Sequence, residues 1–337
     1  MWNGLQFIVQ TSLFKKETLG LATALHLPTG TSPALLHTPT RKEKGLIISF
    51  TGFSMQGYQD VRIAAVNNAF ANMGYRVITP QISTIDALCI HPRAIEEVKQ
   101  AIISISANPV LNPNKHKPAI FAPSFTAGIA ALAVAELPAQ TVSAMCLLGS
   151  FCHFESTIQF ALGNPNKTDD YGMHVILKNF LPYEIGDKPE LEAILQTALA
   201  DNGLRRKEPQ LPALLQQVSK ETSDFYGQLK SDAGFRQALI QQAYTKIPDF
   251  SSWKNRLDLS QHAHKIDCKV AIIHGKDDDV IPASESVLLH QLIHAQNPQV
   301  RLEVSPLLSH GDPKFGWKVL GEVASLGRAF AYFLEKS

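Results

Sequence analysis

Short apolar segments alternate with longer stretches of helical periodicity along most of this chain. The segments GLIISF at 45–50 and VAIIH at 270–274 contain no acidic or strongly basic residue, as is typical of strands buried on both faces of a sheet. Parallel strands need a crossover of a dozen or more residues, usually a helix, so the alternation predicts βαβ units. The predicted fold class is therefore α/β, with a mostly parallel central sheet and helices on both faces.

Turn and capping residues set the predicted boundaries. Gly74 ends a helix that begins near residue 61, and Pro92 lies just inside the start of the next helix. The predicted strands span residues 19–27, 45–50, 75–79, 119–122, 142–148, 270–274 and 300–304. The predicted helices of the alternating part span residues 61–73, 91–107, 128–136 and 319–334.

One long stretch breaks the alternation. Residues 153–264 contain no clear strand, but helical segments are predicted at 189–200, 211–220 and 234–245. Predicted strands precede and follow this insertion of roughly a hundred residues, so we interpret it as a helical cap inserted after strand six rather than as an independent domain. The predicted α/β core is residues 1–152 and 265–337, and the predicted cap is residues 153–264.

The composition excludes several classes of protein. Of the 337 residues, 45% are hydrophobic and 18% are charged, which excludes wholesale disorder. The net charge of +1, from 31 basic and 30 acidic side chains, argues against a nucleic-acid partner. The four cysteines form no C-x-x-C motif, so we predict reduced, buried thiols rather than a disulfide framework or a metal site.

The start of the chain has no basic segment before its apolar stretch, and no apolar run reaches the ~20 residues of a transmembrane helix. We therefore expect a cytoplasmic protein, with leaderless secretion left open. These features do not determine the oligomeric state.

The segment AIFAPSFTAGIA at 119–130 carries the main chemical signal. An apolar strand leads into Ser124, and a helix of small residues follows directly. A serine on such a sharp strand-to-helix turn projects its Oγ from the end of the sheet, and it needs small residues two positions away on each side. Those positions hold Ala122 and Thr126. The helix N-terminus behind the turn offers backbone N–H groups to a developing oxyanion.

A nucleophilic serine needs a base, and the base needs an orienting acid. On this type of sheet the expected order is serine, then acid, then histidine, each after a strand. Asp278 lies in GKDDDVIP after the strand at 270–274, and His310 lies in SPLLSHGD after the strand at 300–304. The three residue types therefore occur in the expected order and positions.

These segments resemble the α/β-hydrolase superfamily. The segment IIHGKDDDVIP is similar to that family's strand-seven pattern G-x-x-D-x-x-[VI]-P, and LSHGDP is similar to its terminal histidine loop. LIISFTGFSMQG is similar to its strand-three segment, which usually reads H-G-[FY], and YRVITP to its fourth strand. The resemblance covers roughly residues 20–150 and 265–335, with the insertion where this family commonly carries a cap.

The resemblance implies an α/β-hydrolase fold and assigns roles to individual residues. Ser124, His310 and Asp278 would form the catalytic triad, with Asp278 chosen over its neighbours Asp277 and Asp279 by register. The backbone N–H groups of Phe53 and Phe125 would form the oxyanion hole. This chemistry needs no cofactor and no metal ion.

The chain departs from the family pattern at three positions. In this family the nucleophilic serine lies on a strand-to-helix turn called the elbow, with a glycine two positions away on each side. Ala122 and Thr126 replace both elbow glycines, and Thr51 replaces the strand-three histidine. The β-branched Thr126 crowds a turn that glycine leaves open, whereas Pro123 holds Ala122 in the extended conformation that a strand end needs. We expect a tight but functional elbow.

The predicted function is hydrolysis of a carboxylic ester or thioester through an acyl-enzyme, as in serine esterases, lipases and thioesterases. The expected partner is a small-molecule acyl substrate, held in an apolar pocket shaped by the cap. Two alternatives stay open. One is acyl transfer or peptide cleavage on the same framework, and the other is a catalytically silent protein that binds ligands or a membrane surface.

The site residues also have simpler interpretations. Ser124 could serve only as a helix N-cap, Asp278 could be one of three solvated turn acids, and His310 could be an ordinary loop histidine. The catalytic interpretation is favoured because the simpler ones leave the order of the three residues unexplained.

Several other motifs favour a structural interpretation. His153 and Glu155 follow strand six, where some relatives in this family place an alternative acid, but we interpret them as the exit into the cap. His262 and His264 have no third metal ligand nearby in the sequence. We interpret Ser54 and Ser150 as turn residues, Arg205–Arg206–Lys207 as solvated surface, and the apolar stripe at 211–215 as cap core.

Overall fold

A computed structural model describes residues 19–28, 30–163, 170–309, 312–313 and 320–335 of the protein. Its strands are β1 (Leu21–Leu27), β2 (Gly30–His37), β3 (Gly45–Ser49), β4 (Tyr75–Pro80), β5 (Pro118–Pro123), β6 (Ala144–Leu148), β7 (Lys269–Gly275), β8 (Val300–Ser305), β9 (Leu308–Ser309) and β10 (Asp312–Pro313). Its core helices are α1 (Val61–Asn72), α2 (Ser83–Asp86), α3 (Arg93–Ala107), α4 (Phe125–Ala135), α12 (Ala283–His294) and α13 (Leu320–Leu334). Between β6 and β7 lie α5 (Phe154–Ala161), α6 (Asp170–Ile185), α7 (Pro189–Gly203), α8 (Leu211–Leu215), α9 (Lys220–Ser231), α10 (Ala233–Lys246) and α11 (Phe250–Leu257).

Eight strands form one sheet in the order β1-β2-β4-β3-β5-β6-β7-β8. The strands from β4 to β8 in this order are parallel, whereas β2 pairs antiparallel with both β1 and β4. The predicted α/β class and mostly parallel sheet are confirmed. Because the strands after β2 are parallel, their carboxyl ends meet at one edge of the sheet, and functional residues gather there.

Strand β2 was not predicted from the sequence, and helices α3 and α4 begin at other residues than predicted. Residues 30–37 contain Pro33 and have several exposed positions, so they lack the apolar pattern of a buried strand. Helix α4 begins at Phe125 rather than at residue 128, because the strand-to-helix turn has no intervening loop. Pro92 occupies the N-cap of α3, one position before the helix, rather than its first turn.

The two faces of the sheet are covered by different helices. Along β5, Phe121 faces a cluster that includes Phe70 of α1 and Phe333 of α13, with the Phe70 ring centroid 5.6 Å from that of Phe121. Ile120 faces the opposite, larger cluster, which includes α3 and α4. This alternation of side chains fixes the register of the central strands, since a slip by one residue would exchange the two faces.

Helix α4 is buried along its whole length and consists mostly of alanine and other small residues. Gly128 shows why small residues are needed: a Cβ atom there would lie 2.2 Å from the Phe151 ring. The Phe151 ring in turn stacks on Phe125, with centroids 4.6 Å apart. The close approach of Phe151 therefore holds the first turn of the helix that follows Ser124.

The described residues between β6 and β7 form seven α-helices and no strand. Arg236 of α10 is fully buried and joins the carboxyl ends of α5 and α9. Its guanidinium donates hydrogen bonds to the carbonyls of Leu162 and Gly163 after α5 and of Leu229 and Lys230 in α9. A cation at two helix C-termini satisfies carbonyls that lack intrahelical partners. The assignment of residues 153–264 as a separate cap stays a prediction.

Buried Glu285 of α12 attaches the start of these helices to the core. It accepts hydrogen bonds from the backbone N–H groups of Cys152 and His153, at 2.9 and 2.7 Å, and from the Ser156 hydroxyl at 2.6 Å. Burial, aided by the charges of Glu285 and Asp258, raises the pKa of the Cys152 thiol far above its ordinary value. Cys152 is therefore a packed thiol rather than a reactive one.

The four cysteines are free thiols, and three of them, Cys146, Cys152 and Cys268, are buried. Among the described residues no group of three or more side chains is arranged to hold a metal ion. In the same part of the chain, no helix combines the length and hydrophobicity needed to cross a membrane.

Two helical glycines, one packed and one exposed to open space, should respond in opposite directions to substitution by alanine. Gly128→Ala should lower the free energy of unfolding by about 2–3 kcal/mol, because the new methyl group overlaps the Phe151 ring. Gly227→Ala is the matched control in α9, where a Cβ meets open space, and it should raise the free energy of unfolding by about 0.5–1 kcal/mol. Urea denaturation followed by circular dichroism measures both. Equal effects at the two positions would contradict the packing described here.

Candidate active site

Ser124 has a strained backbone at the junction of β5 and α4. Its φ is +59° and its ψ is −144°, a conformation that costs a residue other than glycine about 1–3 kcal/mol. The backbone N–H of Ser124 donates to the Leu148 carbonyl at 2.6 Å, at the end of neighbouring β6. The sheet itself therefore holds the turn closed at this residue.

The Ser124 side chain does not cap the helix. Ser124 occupies the N-cap position of α4, but its hydroxyl accepts no capping hydrogen bond from the helix. The residue is half-buried and lines a cavity above the sheet edge. An N-cap serine normally accepts a hydrogen bond from the second or third helical N–H, so the simpler interpretation of Ser124 is not supported.

The residues that replace the elbow glycines are both buried. Among the described residues, neither Ala122 nor Thr126 has a positive φ, so the turn requires small volume at these positions rather than the backbone freedom of glycine. The Thr126 hydroxyl is enclosed and has no hydrogen-bond partner within the described ranges. The elbow accommodates this side chain at the cost of an unsatisfied polar atom.

The loop after β3 lies against Ser124. A Cβ atom on Gly52 would lie 3.4 Å from the Ser124 Cβ, so the loop passes at van der Waals distance. The next residue, Phe53, packs its ring 5.1 Å from the ring of Phe125. The two residues predicted for the oxyanion hole therefore flank the serine. Phe125 opens α4, and the first N–H groups of a helix have no intrahelical acceptor.

Asp278 lies three residues after β7 and is oriented by its own turn. Its Oδ1 accepts hydrogen bonds from the backbone N–H groups of Val280 and Ile281, both at 2.9 Å. Its Oδ2 lies 3.5 Å from Nε2 of buried His274. Asp278 is 8% exposed, whereas its neighbour Asp277 is exposed; the role of Asp278 as the triad acid stays a prediction.

Asp279, the neighbour over which Asp278 was chosen by register, is not a fully solvated turn acid. It is half-buried and lines the same cavity as Ser124 and Asp278. The turn after β7 is short enough that both Asp278 and Asp279 reach the sheet edge.

His310 lies outside the described residues, so its role as the base stays a prediction. Two residues before His310, Leu308 of β9 lines the cavity. Leu308 also packs closely on the end of β7, because a Cβ atom on Gly275 would lie 2.5 Å from the Leu308 carbonyl oxygen.

The cavity has a volume of about 480 Å³ and is mostly apolar above the sheet edge. Ser124, Asp278 and the loop with Gly52 and Phe53 form its floor. The segment between β6 and β7 also lines the cavity, through Thr157, Ile158, Ala161, Tyr171, Gly172, Val175, Ile176, Asn202, Gly203 and Arg205.

Asp60 and Arg62 form an ion pair at the cavity, with Nη2 and Oδ2 2.7 Å apart. Burial alone raises the pKa of Asp60, but hydrogen bonds and the charge of Arg62 outweigh burial and hold the pKa below its ordinary value. Asp60 also caps α1 by accepting from the Arg62 N–H. Asp60 is therefore an ionised structural acid.

The remaining sequence motifs have structural contacts. His153 caps α5, and Glu155 pairs with Lys254 at 3.0 Å. Ser54 Oγ accepts a backbone hydrogen bond from Gln56, and Ser150 Oγ donates to the Phe151 carbonyl. In the basic run, Arg206 pairs with Asp201, whereas Arg205 is exposed at the cavity. Leu211, Leu214 and Leu215 of α8 pack against the hydrophobic core.

Two further residues near the site, His274 and Tyr171, were not predicted from the sequence. His274 is fully buried at the end of β7, with Nδ1 2.6 Å from Ser286 Oγ and Nε2 2.9 Å from the Ile281 carbonyl. Tyr171 contacts the loop after β3 from α6. A polar residue at the end of an apolar strand could have indicated His274, but no local signal indicates Tyr171, because its partner lies 118 residues away.

No protein-family model and no curated protein sequence matches the chain. Solved structures do match. A structure of DcsB in complex with a substrate analogue has a TM-score of 0.53 and 14% identity, covering 95% of this chain and 100% of that one. Esterase Pf2001 from Pyrococcus furiosus has a TM-score of 0.51 and 10% identity, covering 95% and 90%.

Acylaminoacyl peptidase from Pyrococcus horikoshii has a TM-score of 0.51 and 12% identity. The match covers 99% of this chain but only 43% of the peptidase, so the chain spans less than half the length of that relative. What this chain shares with the three structures is the fold.

The enclosed Thr126 hydroxyl should lower the stability of the protein. Thr126→Val replaces the enclosed hydroxyl with a methyl group of similar size, so it should raise the free energy of unfolding by about 1 kcal/mol. Urea denaturation of the variant and the parent protein measures this difference. A loss of more than 1 kcal/mol would instead show that the hydroxyl has a hydrogen-bond partner.

Proposed function

We propose that this chain, which has the α/β-hydrolase fold, is a serine hydrolase that cleaves a carboxylic ester or thioester through an acyl-enzyme. The strained backbone conformation of Ser124 is the observation that supports this proposal most directly. A strained serine, held on a strand-to-helix turn with its hydroxyl not used as a cap, is typical of a nucleophile. The fold likeness to an esterase and a peptidase supports the same class of reaction.

In the proposed mechanism, Ser124 Oγ attacks the acyl carbonyl while His310 accepts the hydroxyl proton. The resulting oxyanion is stabilised by the N–H groups of Phe53 and Phe125, each worth about 3–4 kcal/mol in comparable sites. The tetrahedral intermediate collapses, and His310 returns the proton to the departing alcohol or thiol. Water, deprotonated by His310, then releases the acid and regenerates Ser124.

Asp278 supports this cycle by orienting the imidazole and stabilising its protonated form. Two backbone hydrogen bonds to Oδ1 fix the carboxylate, which favours a single orientation of Oδ2. Every proposed step uses side chains and backbone groups of this chain, and none requires a cofactor.

The helices between β6 and β7 are proposed to act as a cap that shapes the acyl pocket. Ile158, Val175 and Ile176 line the cavity across from Ser124 and offer apolar surface to an acyl chain. A cavity of about 480 Å³ suits a small-molecule substrate rather than a folded protein. Excluding water around the reacting carbonyl would strengthen its contacts with the N–H donors.

Peptide cleavage is the second candidate, because one structure that shares the fold is an acylaminoacyl peptidase. The same residues would act, with an amine as the leaving group. A panel of matched acyl esters, thioesters and anilides separates the two, and added alcohols or amines test acyl transfer. Preference for the anilide by kcat/KM would favour the peptidase.

Ser124→Ala should abolish turnover of p-nitrophenyl esters, because no other group replaces the nucleophile. Ser231→Ala, an exposed serine of α9, is the control and should keep the parent activity. Circular dichroism establishes that both variants fold. Activity that survives in the Ser124 variant would remove this residue as the nucleophile.

Asp278→Asn should lower kcat by about 10³–10⁴-fold, because the amide cannot stabilise the protonated imidazole. The variant keeps an oxygen that can accept from Val280 and Ile281, so the turn should persist. Asp277→Asn is the adjacent, exposed control and should change kcat less than about twofold. Equal effects at 277 and 278 would contradict the assignment of the acid.

A further inference from the structure

The loop that carries the proposed oxyanion donor Phe53 packs against Ser124 and Phe125 through van der Waals contacts, but its backbone is weakly tethered. Within the described ranges, no backbone–backbone hydrogen bond involves Gly52 or Phe53, whereas regular bonding resumes with the Gly57 N–H to the Ser54 carbonyl at 2.9 Å. Oxyanion donors must be held in place before the reaction to be effective. Something outside the loop must therefore fix its position.

Tyr171 of α6 supplies that contact. Its hydroxyl donates to the Phe53 carbonyl at 3.1 Å, across 118 residues of sequence. The carbonyl and N–H of Phe53 belong to the two peptide planes that meet at its Cα. A hydrogen bond to the carbonyl therefore restrains the position of that Cα and limits how far the adjoining N–H can move. The Phe53 ring adds a second anchor through its contact with Phe125.

Helix α7 holds Tyr171 against the same loop. A Cβ atom on Gly203 would lie 3.0 Å from Tyr171 Cε2 and 2.9 Å from Met55 Cγ. Gly203 therefore lets α7 pack between the Tyr171 ring and the loop residue Met55. Tyr171 is half-buried, so its ring is restrained in this contact.

We propose that Tyr171 is a positioning residue, through which the helices between β6 and β7 hold the Phe53 N–H in its oxyanion-binding orientation. This inference rests on the proposed function. It assigns to the predicted cap a role in stabilising the transition state, beyond lining the pocket. Tyr171 acts through the Phe53 peptide and does not itself touch the reacting atoms.

Tyr171→Phe tests the proposal because it removes one oxygen and keeps the ring that packs against Gly203. We expect kcat for a p-nitrophenyl ester to fall roughly tenfold, with KM changed less than about twofold. The loss should be confined to transition-state binding, so affinity for a boronic acid that mimics the tetrahedral intermediate should fall by a similar factor. Tyr183→Phe, at an exposed position of the same helix, is the matched control and should behave as the parent protein.

The outcomes separate this inference from the proposed function. The parent protein is first treated with a fluorophosphonate, and failure to label Ser124 would overturn the proposed function and this inference together. Labelling of Ser124 with equal kcat in the parent and the Tyr171→Phe variant would overturn the inference alone. A raised KM with unchanged kcat would place Tyr171 in substrate binding and would also overturn it.

Discussion

The strand-to-helix turn at Ser124 is the constraint on which the rest of the site depends. Its backbone has a conformation that serine adopts only under restraint, and two elements supply the restraint. The Ser124 N–H is bound to the end of β6, and α4 continues from the next residue, buried on all sides. Relaxing the turn would require the sheet edge and a core helix to move together.

This restraint explains the composition of the surrounding core. Helix α4 must approach the sheet closely, so it consists mostly of small residues, and Phe151 fills the space that Gly128 leaves. The Phe151–Phe125–Phe53 series of ring contacts continues from the core to the loop above Ser124. Packing in the interior therefore sets the position of backbone groups at the surface of the cavity.

The alternation of apolar strands and helices was enough to predict the sheet, because buried parallel strands leave a strong local pattern. β2 was missed, because it contains Pro33 and several exposed positions and so leaves only a weak apolar pattern. The resemblance to the α/β-hydrolase superfamily is confirmed at the level of the fold. Local motifs singled out Ser124 and Asp278, which follow β5 and β7 and line one cavity, and their catalytic roles stay predictions.

Contacts between distant segments could not be predicted in this way. The contact between Tyr171 and Phe53, and the contact between Glu285 and Cys152, join residues more than a hundred positions apart with no shared motif. Thr126 posed a different problem, because a β-branched residue at the elbow argued for strain at that position. The structure places the strained φ on Ser124 itself and encloses Thr126 in the core.

Formation of a covalent acyl intermediate on Ser124 is the proposed step on which the rest of the chemistry depends. Rapid mixing with a p-nitrophenyl ester, acid quenching within the first turnover and intact-protein mass spectrometry test it directly. We expect a transient mass increase equal to one acyl group, located by peptide mapping on the segment that contains Ser124. Release of p-nitrophenol with no acylated protein at any quench time, or an acyl group on another residue, would contradict it.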